Sequence, residues 1–166
     1  MTIAQMLVPE FDHEMATTRT LLERVPADAA DWKPHPKSMS MGHLASHIAS
    51  MPQWTPAIVR EKEVDFSTPA AARFATPAFE STPKLVEMFD RNISEARTVM
   101  LGASDADLGV PWALRNGAHQ IFSLPRAAVL RSFIMSHIIH HRGQLSVYLR
   151  LRDVPLPSIY GPTADS

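Results

Sequence analysis

Residues 127–151 carry the pattern that most limits what this chain can fold into. Ala127, Leu130, Ile134, His137, His141, Gln144, Tyr148 and Leu151 follow one another at spacings of 3-4-3-4-3-4-3. Such a run keeps one helical face turned toward a packed axis. It requires a long helix, starting near Ser123 and Pro125 and reaching about Arg152, with helical neighbours to cover it. Three other segments supply them. Phe11, Met15, Thr18, Leu22 and Val25 repeat at 4-3-4-3, with Pro9 suited to a first helical turn and Pro26 just past the end. Met41, Leu44, Ile48 and Met51 form a second stripe behind the N-cap Ser40, and Pro52 and Pro56 predict a kink or break around Trp54. Leu85, Phe89, Ile93, Ala96 and Met100 form a third, opened by Thr82 as N-cap with Pro83 and closed by Gly102.

Between these helices, residues 26–38, 61–81 and 103–122 read as irregular connections, and 153–166 as a proline-rich tail that folds back with Tyr160 as its anchor. No convincing strand alternation is present. The expectation is one all-α domain over residues 1–166, a four-helix bundle with long inter-helix connections.

Composition removes several classes of function. The net charge is −1 and no basic run exists, so nothing favours nucleic acid. No apolar run approaches the ~18 residues of a membrane helix, and no secretory leader is visible, which points to the cytoplasm. Cysteine is absent, so disulfides, thiolate metal ligands and a catalytic cysteine are excluded. Any thiol in the chemistry has to arrive as a substrate.

Three consecutive polar residues on a core seam need a shared reason, because an unpaired buried polar group costs roughly 1–3 kcal/mol. His137 and His141 stand at i and i+4, the spacing that lets two imidazoles converge on one ion. The competing reading is a pair of core histidines satisfied by neighbours. A third ligand is available in the second helix, where His47 falls within the apolar arc of Leu44, Ile48 and Met51. His43 lies at the boundary of that arc, and His140 lies off the fourth-helix seam. His13, His35 and His119 have no comparable support. No Glu-x-x-His pair accompanies His47, His137 or His141, which argues against a di-iron carboxylate site, and HExxH is missing too. Three imidazoles suit Zn²⁺, Ni²⁺, Co²⁺ or Fe²⁺ and leave coordination positions open, as catalytic sites require.

Several residues near these histidines have two readings each. Gln144 is placed to hydrogen-bond a ligand or metal-bound water, or else backbone or a neighbouring helix. Arg142 suits a cosubstrate carboxylate or a surface or interface ion pair. Glu14 suits a base, an outer ligand or a salt bridge with an arginine. Trp54 and Trp112 are candidates for a pocket wall or for core.

The stretches "DWKPHPKSMSMGHLASHIA" (31–49), "SHIIHHRGQLSVYLR" (136–150) and "VPLPSIYGPTADS" (154–166) together resemble the DinB/YfiT-like superfamily of metal-dependent enzymes. The resemblance runs from "PEFDHEMATTRTLLERVP" to the tail. It implies a four-helix bundle of DinB/YfiT type with crossed-over topology, and a homodimer as one expected assembly. It also implies a metal held by one histidine of the second helix and two of the last, which fall here on His47, His137 and His141. Relatives with known reactions include transferases and isomerases that use low-molecular-weight thiols. The leading expectation is therefore a thiol-dependent S-transferase acting on a small-molecule substrate, with Gln144 beside the reacting groups. Hydrolysis by a metal-bound water, and a non-catalytic metal or small-molecule binding module, are the alternatives.

Overall fold

The structure is a computed structural model and describes residues 1–165. Its longest elements are helices. α1 (Ile3–Leu22) begins at a capping box: the Thr2 hydroxyl accepts from the Gln5 amide, and the Gln5 side chain accepts from the Thr2 amide. The helix thus starts six residues before Pro9, which the sequence pattern had set in the first turn. Pro9 sits on an exposed position inside the helix and costs it one backbone bond.

α2 (Met41–Ser50) starts at the expected N-cap, Ser40, whose hydroxyl accepts from the His43 amide. Pro52 and Pro56 act as anticipated: a 3-10 turn over Met51–Trp54 leads into the short α3 (Thr55–Arg60). The buried Asn92 side chain donates to the Ala49 carbonyl at 3.0 Å, holding the end of α2 against the next long helix. That helix, α4 (Thr82–Gly102), is capped by Ser81 rather than Thr82. The Thr82 hydroxyl instead donates to the Val25 carbonyl and so ties α4 to the end of α1. α1 packs against α4, and two ion pairs cross that contact, Arg19 with Asp90 and Arg97 with Asp12.

The all-α expectation is corrected by a small sheet. β1 (Glu63–Asp65) pairs in parallel with β2 (Pro111–Asn116), and β2 pairs antiparallel with β3 (His119–Pro125). Gly117 and Ala118 make the hairpin turn between the paired Asn116 and His119; Gly117 has a φ of 60°, and its amide donates to the Asp65 carboxylate at 2.8 Å. Trp112 and Leu114 of β2 face inward, but β3 is largely exposed along its whole length, so no alternation marks it in the sequence. Residues 123–125, expected to open the last helix, belong to this strand.

After α5 (Asp105–Gly109) and the hairpin comes one continuous helical rod: α6 (Arg126–Val129), a π-helical stretch over Leu130–Ser136, and α7 (His137–Arg150). The Ser136 hydroxyl, donating to the Arg131 carbonyl five residues back, fits the wider turn. This stretch changes the phase of the rod. Downstream of it the core face is Ile138, Arg142, Leu145 and Leu149, while Gln144 and Leu151 are exposed and His137 and Tyr148 half-buried. The seam read from the sequence therefore lies at the rim of the core, with the histidines between packed interior and solvent. α7 contacts both α1 and α2, and α4 contacts the same two helices. Among the described residues, no helix is long and apolar enough to cross a membrane.

A polar residue does occupy the core face of α7. Arg142 is 1% exposed and pairs with the buried Glu14 of α1 at 2.7 Å. Its guanidinium also donates to the Glu14 carbonyl at 3.1 Å, to Thr18 Oγ1 at 3.3 Å and to the Tyr160 hydroxyl at 2.5 Å. The Tyr160 hydroxyl donates to the Glu14 carboxylate at 2.8 Å, so the tail folds back and is anchored as expected. Neither a surface pair nor a cosubstrate contact describes Arg142, and Glu14 is the arginine-paired carboxylate. Removing one partner of a buried pair leaves an uncompensated charge, which costs about 3–5 kcal/mol. Arg142→Leu should lose stability of that order in urea unfolding, and Glu14→Leu combined with Arg142→Leu should recover most of it. Equal losses in the single and double variants would contradict this reading.

Candidate metal centre

α2 and α7 lie side by side, and their contact brings His47 to His137 and His141. One ring nitrogen from each falls within 4.8 Å of the others. His47 Nε2 and His137 Nε2 are 3.4 Å apart. Two imidazole nitrogens bound to one ion at about 2.0–2.1 Å in tetrahedral geometry stand about 3.3 Å apart, so the spacing fits a shared ion. The rings of His137 and His141 lie 4.6 Å apart, and those of His47 and His141 4.8 Å. His141 is buried, and the other two are half-buried.

The outer nitrogens of His47 and His141 are engaged. His141 Nδ1–H donates to Gln144 Oε1 at 2.7 Å; a carbonyl oxygen only accepts, so this bond fixes the tautomer and leaves Nε2 with its lone pair. His47 Nδ1 lies 3.1 Å from Thr76 Oγ1, which turns its Nε2 toward the cluster. The backbone of Phe133, one turn earlier, lies beside the His137 ring and favours its charged form. Such outer contacts orient histidine ligands at metal sites.

The three imidazoles are also held neutral, the form that binds a metal. Burial, and then the neighbouring rings of His141, His137 and His43, push His47 down to about 4. Burial is likewise the main cause lowering His137, followed by the ring of His141. It lowers His141 too, against an opposing contribution from the Gln144 bond. A cluster that resists protonation and points three lone pairs inward can hold a divalent transition metal.

The other sequence candidates distribute around this centre. His43 and His140 are exposed; His140 has its ring 4.9 Å from that of His141. His13, His35 and His119 are exposed and outside the cluster. Trp54 and Trp112 are core residues, 6% and 0% exposed. Sequence reasoning missed Thr76, which lies in a segment without periodicity. Its position depends on Gly42, where a Cβ would stand 2.9 Å from Phe79 Cβ and 3.1 Å from the Ala30 carbonyl. Only glycine lets the strand of chain through Thr76 and Phe79 close on α2.

Comparison with known proteins places these features in a family. The model of the DinB family matches residues 2–165. Among solved structures, a DinB-like protein of Bacillus subtilis superposes with a TM-score of 0.69 at 22% identity, covering 95% of this chain and 99% of that one. A DinB-like protein of Bacillus cereus gives 0.69 at 17% identity, over 92% and 94% of the two chains. A protein of Exiguobacterium sibiricum gives 0.67 at 20% identity, over 99% and 98%. At these identities the likeness concerns the fold. No curated protein matches the chain. With the family model spanning nearly every residue, the chain belongs to the DinB family.

Proposed function

We propose that this protein is a metal-dependent S-transferase, a four-helix bundle of DinB type in which His47, His137 and His141 hold a divalent transition metal. One observation carries the reading: three neutral imidazoles converge while the outer nitrogens of His47 and His141 are tied to Thr76 and Gln144. When bound, the ion supplies a Lewis acid that favours thiolate over thiol near neutral pH. The chain's own part is orientation and selection. Gln144 and Thr76 keep the rings aimed, and burial keeps them unprotonated.

The cosubstrate is a low-molecular-weight thiol. Its proton passes to solvent, the sulfur lone pair forms a bond to an electrophilic carbon of the second substrate, and the leaving group departs with the electron pair of the broken bond. Thiol chemistry is favoured over hydrolysis because no carboxylate base stands in the cluster. Among the described residues the cluster contains histidines alone, and the one buried carboxylate, Glu14, is paired with Arg142 and Tyr160. A thiol, with a pKa near 8.5, needs far less help to ionise than water does.

Elemental analysis of untagged protein should find about one transition-metal ion per chain, lost in His47→Ala, His137→Ala and His141→Ala. The loaded protein should consume thiol with an electrophile panel, and turnover of esters without thiol would instead select the hydrolytic reading. Acid should act on the metal-free form in a defined direction. The unfolded chain takes up a proton at His47 near 6.5, and the folded chain only near 4. Between those values the unfolded state binds more protons, so stability falls as pH falls. The urea midpoint of metal-free protein should drop from pH 7 to pH 5, and His47→Gln should shrink that drop. An unchanged drop in the variant would contradict the assignment.

A further inference from the structure

The two flanks of the histidine cluster differ in chemistry. His140 and Gln144 make the side toward the C-terminal end of the rod polar. On the other side the His137 ring meets Phe133, with centroids 5.9 Å apart. Phe133 opens an array of rings. It lies 5.2 Å from Trp54, edge-on, and 5.7 Å from Phe122. Trp54 in turn stacks on Phe74 at 3.9 Å and 20°, and meets Phe66 edge-on at 5.8 Å.

Core packing explains part of this array and leaves part unexplained. Trp54 and Trp112 are buried, but Phe74, Phe122 and Phe133 are half-buried and Phe66 is 45% exposed. Leu124, paired with Trp112 across the hairpin, is 41% exposed. Aromatic surface left open beside a reactive centre is the usual composition of a small-molecule pocket wall. The array is also electrically neutral. The cation lying on it, Arg73 over Phe74 at 4.6 Å, is matched by Glu61 at 2.6 Å.

We propose that Phe133, Phe74 and Phe66, backed by the buried Trp54, form a binding shelf for a neutral, planar aromatic acceptor, seated with its reacting carbon toward His137. Edge-to-face and offset contacts distinguish rings from aliphatic groups of the same size, and the matched Arg73–Glu61 pair offers an acidic or basic ligand no unpaired partner. The role as acceptor site rests on the S-transferase reading; the binding itself does not. Among the described residues, Phe133 alone meets both the histidine cluster and the other rings.

The test is a titration of the full-length, metal-containing protein with 4-nitrotoluene, an unreactive nitroaromatic that quenches tryptophan fluorescence, without any thiol. A Trp32→Phe background leaves Trp54, in the array, and Trp112 as the reporters. Saturable quenching is expected, with affinity about five-fold weaker in Phe133→Ala and intermediate in Phe133→Leu, whose bulk keeps the packing. Circular dichroism and metal content should stay unchanged in both variants. Unsaturable quenching, equal affinity in Phe133→Ala, or quenching that disappears as protein concentration rises would each overturn the proposal, the last by making the array an interface between copies. Probe binding without thiol turnover would leave the shelf standing and remove the transferase reading. Thiol turnover with no preference for aromatic over aliphatic electrophiles, unaltered by Phe133→Ala, would do the reverse.

Discussion

The roll of α7 about its own axis depends on one buried ion pair. Arg142 must reach Glu14, Thr18 and Tyr160 from the core face of the helix, and that requirement leaves His137 and His141 at the edge of the same helix. A helix turned further inward would bury both imidazoles behind the core. A helix turned outward would separate them from His47. The pair is expensive to desolvate, and a well-packed apolar replacement of similar volume is often as stable. Its use here is positional: it joins α1, α7 and the tail at one point, next in sequence to a histidine of the cluster.

The site follows from this constraint through ordinary local chemistry. The polar bonds to Thr76 and Gln144 select which nitrogen faces inward, and partial burial keeps the rings neutral. Neither device needs an acidic group near the ion. The centre is therefore uncharged apart from any metal it binds, which suits the proposed stabilisation of an anionic sulfur. The open aromatic flank and the polar flank give such a centre two distinguishable approaches.

Much of this was legible in the sequence because its signals are periodic. The i, i+4 spacing of His137 and His141 on a helix, and the place of His47 on the apolar arc of another, brought three residues into consideration that the fold sets together. The helix cap at Ser40, the end of α4 at Gly102 and the proline break after Met51 were equally local. What the sequence hid was phase and pairing. The π-helical stretch over Leu130–Ser136 moves the packed face by part of a turn, so the seam marks the rim of the core rather than its centre. Nothing in residue spacing announces that wider turn. The hairpin escaped because β3 is exposed on both faces, although Gly117 carries a turn signal. Thr76 reaches His47 from a segment with no pattern of its own, admitted by the missing side chain at Gly42.

His47, His137 and His141 are proposed to bind one ion together through their inward nitrogens. X-ray absorption of the metal-loaded protein reads that shell. Three imidazole nitrogens at about 2.0–2.1 Å are expected, with the remaining positions filled by light atoms from solvent. A coordination shell with fewer than three imidazoles in the unaltered protein would contradict it.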